Sequence, residues 1–238
     1  MKTYLLIHGA LRGAWLWERI IPLIQKRGDD AKVIAIDLPG HGKRSAERSG
    51  VDMSAYIDDV ITYIKQKNIS DIVLVGHSMS GIIISRVVEE VPERIRHLVY
   101  LAAVVPRDGD ALIDLLTKER QETLRKMEGQ AKEIYGPIDA LRPLYFTDLP
   151  DGKEKDSFLK QLTPQPLAVF FEKIPLKRFY SLKIPKTYIL GLRDKSLPPE
   201  LTRVFADRLG VKPVLIDAGH DMMVSRPEEI AEVLLNIP

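Results

Sequence analysis

The sequence predicts an α/β fold: a mainly parallel sheet with helices on both faces and an inserted helical cap. Three observations point there. Short apolar runs rich in β-branched residues alternate with helical patterns. One such run, Ile72-Val73-Leu74-Val75, ends in a turn of small residues that carries a serine, Gly76-His77-Ser78-Met79-Ser80-Gly81, and a helical pattern follows at once. The alternation then breaks once, between about Pro106 and Ser181.

Taken in order, strands are expected at 3–7, 32–36, 72–75, 97–101, 187–190 and 212–216, and helices at 15–27, 53–67, 81–90, 200–209 and 227–236. The last helix opens on Ser225-Arg226-Pro227-Glu228-Glu229, which reads as a serine cap with proline and acids in the first turn. The irregular stretch holds Pro143, Pro150, Pro164, Pro166 and Pro175, a charged helical piece at 118–128, and the pairs Tyr145-Phe146 and Phe170-Phe171. Linkers are polar, so this apolar-rich stretch reads as a cap of short helices. The expected division is core 1–105, cap 106–181 and returning core 182–238, in one structural unit.

Composition sets the bounds. The chain has 238 residues, enough for one sizeable core, with 45% hydrophobic and 29% charged residues. A net charge of +2 implies no general attraction to nucleic acid or membrane. The absence of cysteine excludes disulfides, thiolate catalysis and cysteine-ligated zinc. The opening run Met1-Lys2-Thr3-Tyr4-Leu5-Leu6-Ile7 is too short for a signal peptide or a membrane span, so a cytoplasmic protein is expected.

Four segments carry one chemistry. A strand, a tight turn with Ser78 and a helix have the layout of a nucleophile elbow. The bland alternatives for that turn are an ordinary strand–helix connection or a phosphate-binding loop. A serine hydroxyl is a weak nucleophile and needs an adjacent base. His220, in a loop just past the last expected strand, is placed to be that base; a surface-loop histidine is the alternative. Asp194, past the strand at 187–190, would orient it, because the order serine, acid, histidine is required. Asp217 and Asp221 are rivals by nearness to His220, and a turn aspartate paired with Arg193 or Lys195 is the bland reading. His8-Gly9-Ala10, at the end of the first strand, would supply an oxyanion-binding amide from Ala10, beside that of Met79. His8 and His41, the latter in Asp37-Leu38-Pro39-Gly40-His41-Gly42, read as structural, and Trp15 and Trp17 as packing residues.

With these segments placed, the chain resembles the α/β-hydrolases over essentially its whole length. It is most similar to their plant methylesterase and hydroxynitrile lyase branch and its bacterial esterase relatives. His8-Gly9-Ala10-Leu11-Arg12-Gly13-Ala14-Trp15-Leu16-Trp17, Asp194-Lys195-Ser196-Leu197-Pro198-Pro199-Glu200 and the segment from His220 to Ala231 carry that finer likeness. Two departures matter. Elbows of the family mostly place glycine where Ser80 stands, read here as a packing variation with no effect on mechanism. The lyases place lysine after the histidine and threonine after the first histidine, where this chain has Asp221 and Gly9. An acid at a cyanide-facing position would repel an anion, so the resemblance implies an esterase. It implies a serine esterase that works without metal or organic cofactor, on a small ester admitted beneath the cap. The aromatics Tyr145, Phe146, Phe158, Phe170 and Phe171 suggest a hydrophobic substrate. The family's habit implies that a homodimer is plausible. A small-molecule receptor and a hydroxynitrile lyase are the rival readings.

Overall fold

The computed structural model describes residues 2–28 and 31–238. Eight strands occur among them: β1 (Thr3–Ile7), β2 (Lys32–Ile36), β3 (Ile72–His77), β4 (Ile95–Leu101), β5 (Glu133–Ile134), β6 (Gln165–Pro166), β7 (Lys186–Gly191) and β8 (Val214–Ile216). Six of them form one parallel sheet in the order β2-β1-β3-β4-β7-β8. Strands β5 and β6 pair antiparallel outside it.

Side chains of a strand alternate between faces, and that alternation feeds two cores here. Leu5, Ile7, Ile72, Leu74, Leu98, Tyr100, Tyr188 and Leu190 enter one. Tyr4, Leu6, Val73, Val75, Val99, Leu101 and Ile189 enter the other. The first is covered by α2 (Met53–Gln66), α3 (Ser80–Glu90) and α7 (Pro199–Leu209), the second by α1 (Ile21–Arg27), α8 (Met222–Ser225) and α9 (Pro227–Leu235). Burial on both faces explains why the strands read as continuous apolar runs. Asp52 caps α2 by accepting from the Ala55 N–H at 2.8 Å.

Several element ends shift by one or two residues, and three differences have a local reason. The expected helix 15–27 is a 3-10 turn, Ala14–Trp17, followed by α1. Pro22 lacks an N–H and fits only a first turn, so a new helix starts beside it. Strand β8 begins at Val214 because Pro213 has no N–H to give a ladder. Ser225 does not cap the last helix. Arg226 occupies that position, and the Ser225 hydroxyl donates instead to Asp148 Oδ2 at 3.1 Å.

Between Pro106 and Ser181 lie α4 (Lys118–Met127), α5 (Ile138–Leu141), α6 (Lys153–Leu159), several 3-10 turns and the β5–β6 pair. Strands β1, β3, β7 and β8 are parallel, so the loops after them gather along one edge of the sheet. No helix among the described residues is long and apolar enough to cross a membrane.

Candidate active site

Ser78 sits at the turn between β3 and α3 with φ +57°. A non-glycine residue pays about 1–3 kcal/mol for that conformation. The surroundings hold it: the Ser78 N–H donates to the Leu101 carbonyl at 3.2 Å, and its own carbonyl accepts from the N–H groups of Gly81 and Val104 at 3.2 and 3.0 Å. A Cβ on Gly81 would lie 1.8 Å from the Val104 carbonyl oxygen, so only glycine lets α3 come this close.

Two loops bring partners to Ser78. His220 Nε2 is 2.9 Å from Ser78 Oγ, and His220 Nδ1 is 2.7 Å from Asp194 Oδ2. Ionised Asp194 can only accept, so Nδ1 carries the proton and the Nε2 lone pair faces the hydroxyl. Asp194 is buried, and its other oxygen accepts from the Ser196 and Leu197 N–H groups at 2.7 and 2.9 Å. The carboxylate is thus aimed at the ring by the turn that carries it.

The rivals lie elsewhere. Asp217 is an exposed partner of Arg193 Nε at 3.0 Å. Asp221 is buried and paired with Arg12. Arg193 turns away from Asp194, toward Asp217 and Asp148.

Ala10 and Met79 border the same cavity as Ser78 and His220, and among the described residues neither amide donates to a protein acceptor. The loop holding Ala10 is built by His8. Its Nε2 accepts from the Leu38 N–H at 3.1 Å, which leaves the proton on Nδ1, 2.8 Å from the Gly9 carbonyl oxygen. A trans peptide sets C=O and N–H on opposite sides. Anchoring the Gly9 oxygen on His8 therefore turns the Ala10 N–H the other way. Burial pushes the His8 ring down to about 4, which keeps it neutral.

The cavity measures about 520 Å³. Its apolar lining is mainly aliphatic, including Val104, Leu112, Leu116, Leu124, Met127, Ile134, Leu144 and Leu197. Tyr145 and Phe170 also face it. Phe146 and Phe158 stack on each other and lie tilted against Trp15 instead, and Phe171 packs against the core. Of Tyr145, Phe146, Phe158, Phe170 and Phe171, only Tyr145 and Phe170 thus border the cavity.

The model of the alpha/beta hydrolase family matches residues 4–233. The chain belongs to the alpha/beta hydrolase family. A carbendazim hydrolyzing esterase from Nocardioides sp. (strain SG-4G) is 32% identical over 246 residues, covering 98% of both chains. Polyneuridine aldehyde esterase of Rauvolfia serpentina is 26% identical over 259 residues, covering 99% of this chain and 95% of that one. An extracellular alpha/beta-hydrolase from a Paenibacillus species superposes with a TM-score of 0.88 at 28% identity, covering 99% of this chain and 98% of its own. That protein shares structural and functional homology with tobacco salicylic acid binding protein 2.

Sequence reasoning missed two features of this hydrolase. Ser80 is more than a small residue at a packing position, because its buried hydroxyl donates to the His8 carbonyl and ties the start of α3 to the end of β1. Asp221 does not confront a bound anion as a lone acid. Burial pushes its carboxyl up, but the Arg12 guanidinium outweighs this and holds it well below the usual carboxylate range. Paired in this way, Asp221 presents no net charge that would repel cyanide. The signal for the pair was an arginine in a turn otherwise made of small and apolar residues, but nothing local named its partner.

His41 and His77 are also neutral and hydrogen-bonded. His41 lies between Thr163 Oγ1 at 2.8 Å and the Tyr56 hydroxyl at 2.9 Å. His77 Nε2 donates to the His220 carbonyl at 3.1 Å and so fixes the backbone of that loop from beneath.

Proposed function

We propose that this alpha/beta hydrolase cleaves small, largely hydrophobic carboxylic esters through an acyl-enzyme. One observation carries the reading: Asp194, His220 and Ser78 form an unbroken hydrogen-bonded series that ends in an apolar cavity. In this reading His220 Nε2 takes the proton of Ser78, and Oγ attacks the ester carbonyl. The Ala10 and Met79 amides hold the oxyanion. His220 returns the proton to the leaving alcohol. Water, deprotonated by the same ring, then releases the acid. Residues 106–181 act as the cap over a core made of 1–105 and 182–238, and α4 lines the acyl or alcohol arm.

The mainly aliphatic lining, in which Glu119 and Arg120 bring opposite charges, supports a neutral substrate, and a volume near 520 Å³ suits an ester larger than an acetate. The names of the relatives above point to esters as well. The reading retains a cytoplasmic location and allows a homodimer. Against a lyase stands Gly9, where a threonine would crowd Ser78.

The test is a panel of p-nitrophenyl esters of increasing acyl length, with Ser78→Ala as control. Turnover should continue through many cycles, rise from acetate to medium chains and vanish in the control. A single stoichiometric burst without turnover would favour a receptor. Undiminished turnover by Ser78→Ala would overturn the mechanism.

A further inference from the structure

Arg12 and Asp221 meet in the interior although 209 positions separate them, with side chains each 2% exposed. We infer that this pair, granted the esterase reading, is a positioning device that sets the Ala10 N–H at a fixed place relative to His220.

Each arm of the guanidinium has a separate task. Nε donates to Asp221 Oδ1 at 2.7 Å and Nη2 to Oδ2 at 2.9 Å. Nη1 donates to the Ala10 carbonyl at 2.8 Å. Asp221 is the chain neighbour of His220, so one planar group spans the loop of the base and the loop of the oxyanion amide. The 106–181 segment closes the arrangement. The Phe146 N–H donates to Asp221 Oδ2 at 3.2 Å, and the Tyr145 ring lies 4.7 Å from the guanidinium.

The oxyanion loop needs such a restraint. Leu11 has φ +67°, a left-handed conformation that a leucine does not adopt unaided. The Ala10–Leu11 peptide is gripped at both ends, its oxygen by Arg12 and its N–H by Gln165 Oε1 at 3.1 Å. The Leu11 carbonyl accepts from the Thr163 N–H at 2.8 Å. Released from Arg12, the Ala10–Leu11 peptide keeps only its Gln165 anchor, and the Ala10 N–H on the adjoining peptide is then held from the His8 side alone.

Stability alone does not call for charges here. A buried ion pair recovers little more than its desolvation penalty, and apolar residues of similar volume fill such space as well. What the fork supplies is direction, since a bidentate guanidinium fixes both distance and plane.

The test compares Arg12→Gln, Asp221→Asn, Arg12→Lys and the double variant Arg12→Gln/Asp221→Asn, which buries no net charge. Probes are a p-nitrophenyl ester, an alkyl boronic acid that becomes a tetrahedral anion on Ser78, and the matching primary alcohol, which fills the cavity without an oxyanion. The double variant should lose about 10–100-fold in kcat with KM within about threefold. Boronic acid affinity should fall by a similar factor, while that of the alcohol holds. Losses in the two single variants should not add. Arg12→Lys keeps the charge without the fork and should still lose kcat. Should a single variant leave an unpaired charge and fail to fold, the double variant and Arg12→Lys decide the matter. Folded variants with wild-type kcat and boronic acid affinity would overturn the inference, as would equal weakening of alcohol and boronic acid. An active Ser78→Ala would instead overturn the esterase reading itself. An inert Ser78→Ala beside a fully active double variant would sink the positioning role alone.

Discussion

Gly9 lies so close to Ser78 that a Cβ built on it would stand 2.7 Å from the serine Cβ, and 3.0 Å from His77 Nδ1. Real Cβ atoms do not come that near, so any larger residue must displace the elbow. Gly9→Thr, which restores the letter of the related lyases, should cut ester turnover by at least about 100-fold, on the scale of a misplaced reacting group. It should release no cyanide from mandelonitrile. Efficient cyanide release by this variant would show that the elbow tolerates the shift.

The acid can be assigned by comparing two aspartates. Asp194→Asn should lose about 10³–10⁴-fold in kcat, because the amide cannot hold His220 in the required tautomer. Asp217→Asn should leave kcat unchanged, since that side chain is exposed on Arg193. Circular dichroism of both variants checks that the fold is intact. The reverse ranking would move the orienting role to Asp217.

Ser80 gives a stability prediction. Ser80→Ala leaves the His8 carbonyl without its hydroxyl donor in a buried place, a loss of about 1–3 kcal/mol. Thermal melting should fall by several degrees. Ser80→Gly, the commoner letter in the family's elbows, should melt no higher than the alanine variant. Equal melting of all three proteins would mean that the hydrogen bond contributes nothing net.

Acid should unfold the protein through its histidines. Four of the five, His8, His41, His77 and His97, are held below the ordinary imidazole value, chiefly by burial. His8 and His97 sit at about 4 and His41 at about 3. Above about pH 6.5 neither the folded nor the unfolded chain protonates them, and they leave stability unchanged. Below that value only the unfolded chain takes up the protons, so stability drops as pH falls toward 4. His8 alone accounts for about 3 kcal/mol by pH 4. Melting temperatures from pH 7.5 to 4.5 should decline steeply below 6.5. A flat profile would contradict the neutral, buried state of these rings.

The cavity predicts chain-length selectivity. Leu124 on α4 and Leu116 ahead of it line the aliphatic wall. Leu124→Trp should spare short p-nitrophenyl esters and reduce kcat/KM for medium chains by tenfold or more, the effect expected for blocking one or two methylenes. Uniform loss across the series would place α4 away from the substrate.

Much of this was legible in the sequence because the information is local. Strands 3–7 and 32–36 coincide with β1 and β2: β1 is buried throughout and writes an uninterrupted apolar run, and the half-buried edge strand β2 keeps the apolar run Val33-Ile34-Ala35-Ile36. Ser78, Asp194 and His220 could be named because each follows such a run, and parallel strands deliver those ends to one edge. What stayed hidden was long-range or depended on a particular hydrogen bond. Ser225 looked like a cap, but its hydroxyl serves Asp148, 77 positions away. In the sequence Arg12 has no assigned role and Asp221 reads as a lone acid; only the fold pairs them. The β5–β6 pair joins two-residue segments too short for any periodicity.

The engagement of Arg12 also bears on what happens after hydrolysis. The reaction turns a neutral ester into a carboxylate, and a buried arginine beside the serine would trap that anion. Here the guanidinium is charge-paired with Asp221 and donates to the Ala10 carbonyl. The newly formed acid meets a largely aliphatic wall that disfavours its charge, while Arg120 and the exposed Lys195 also border the cavity. Internal neutralisation of Arg12 thus removes one charge that would otherwise hold the departing acid.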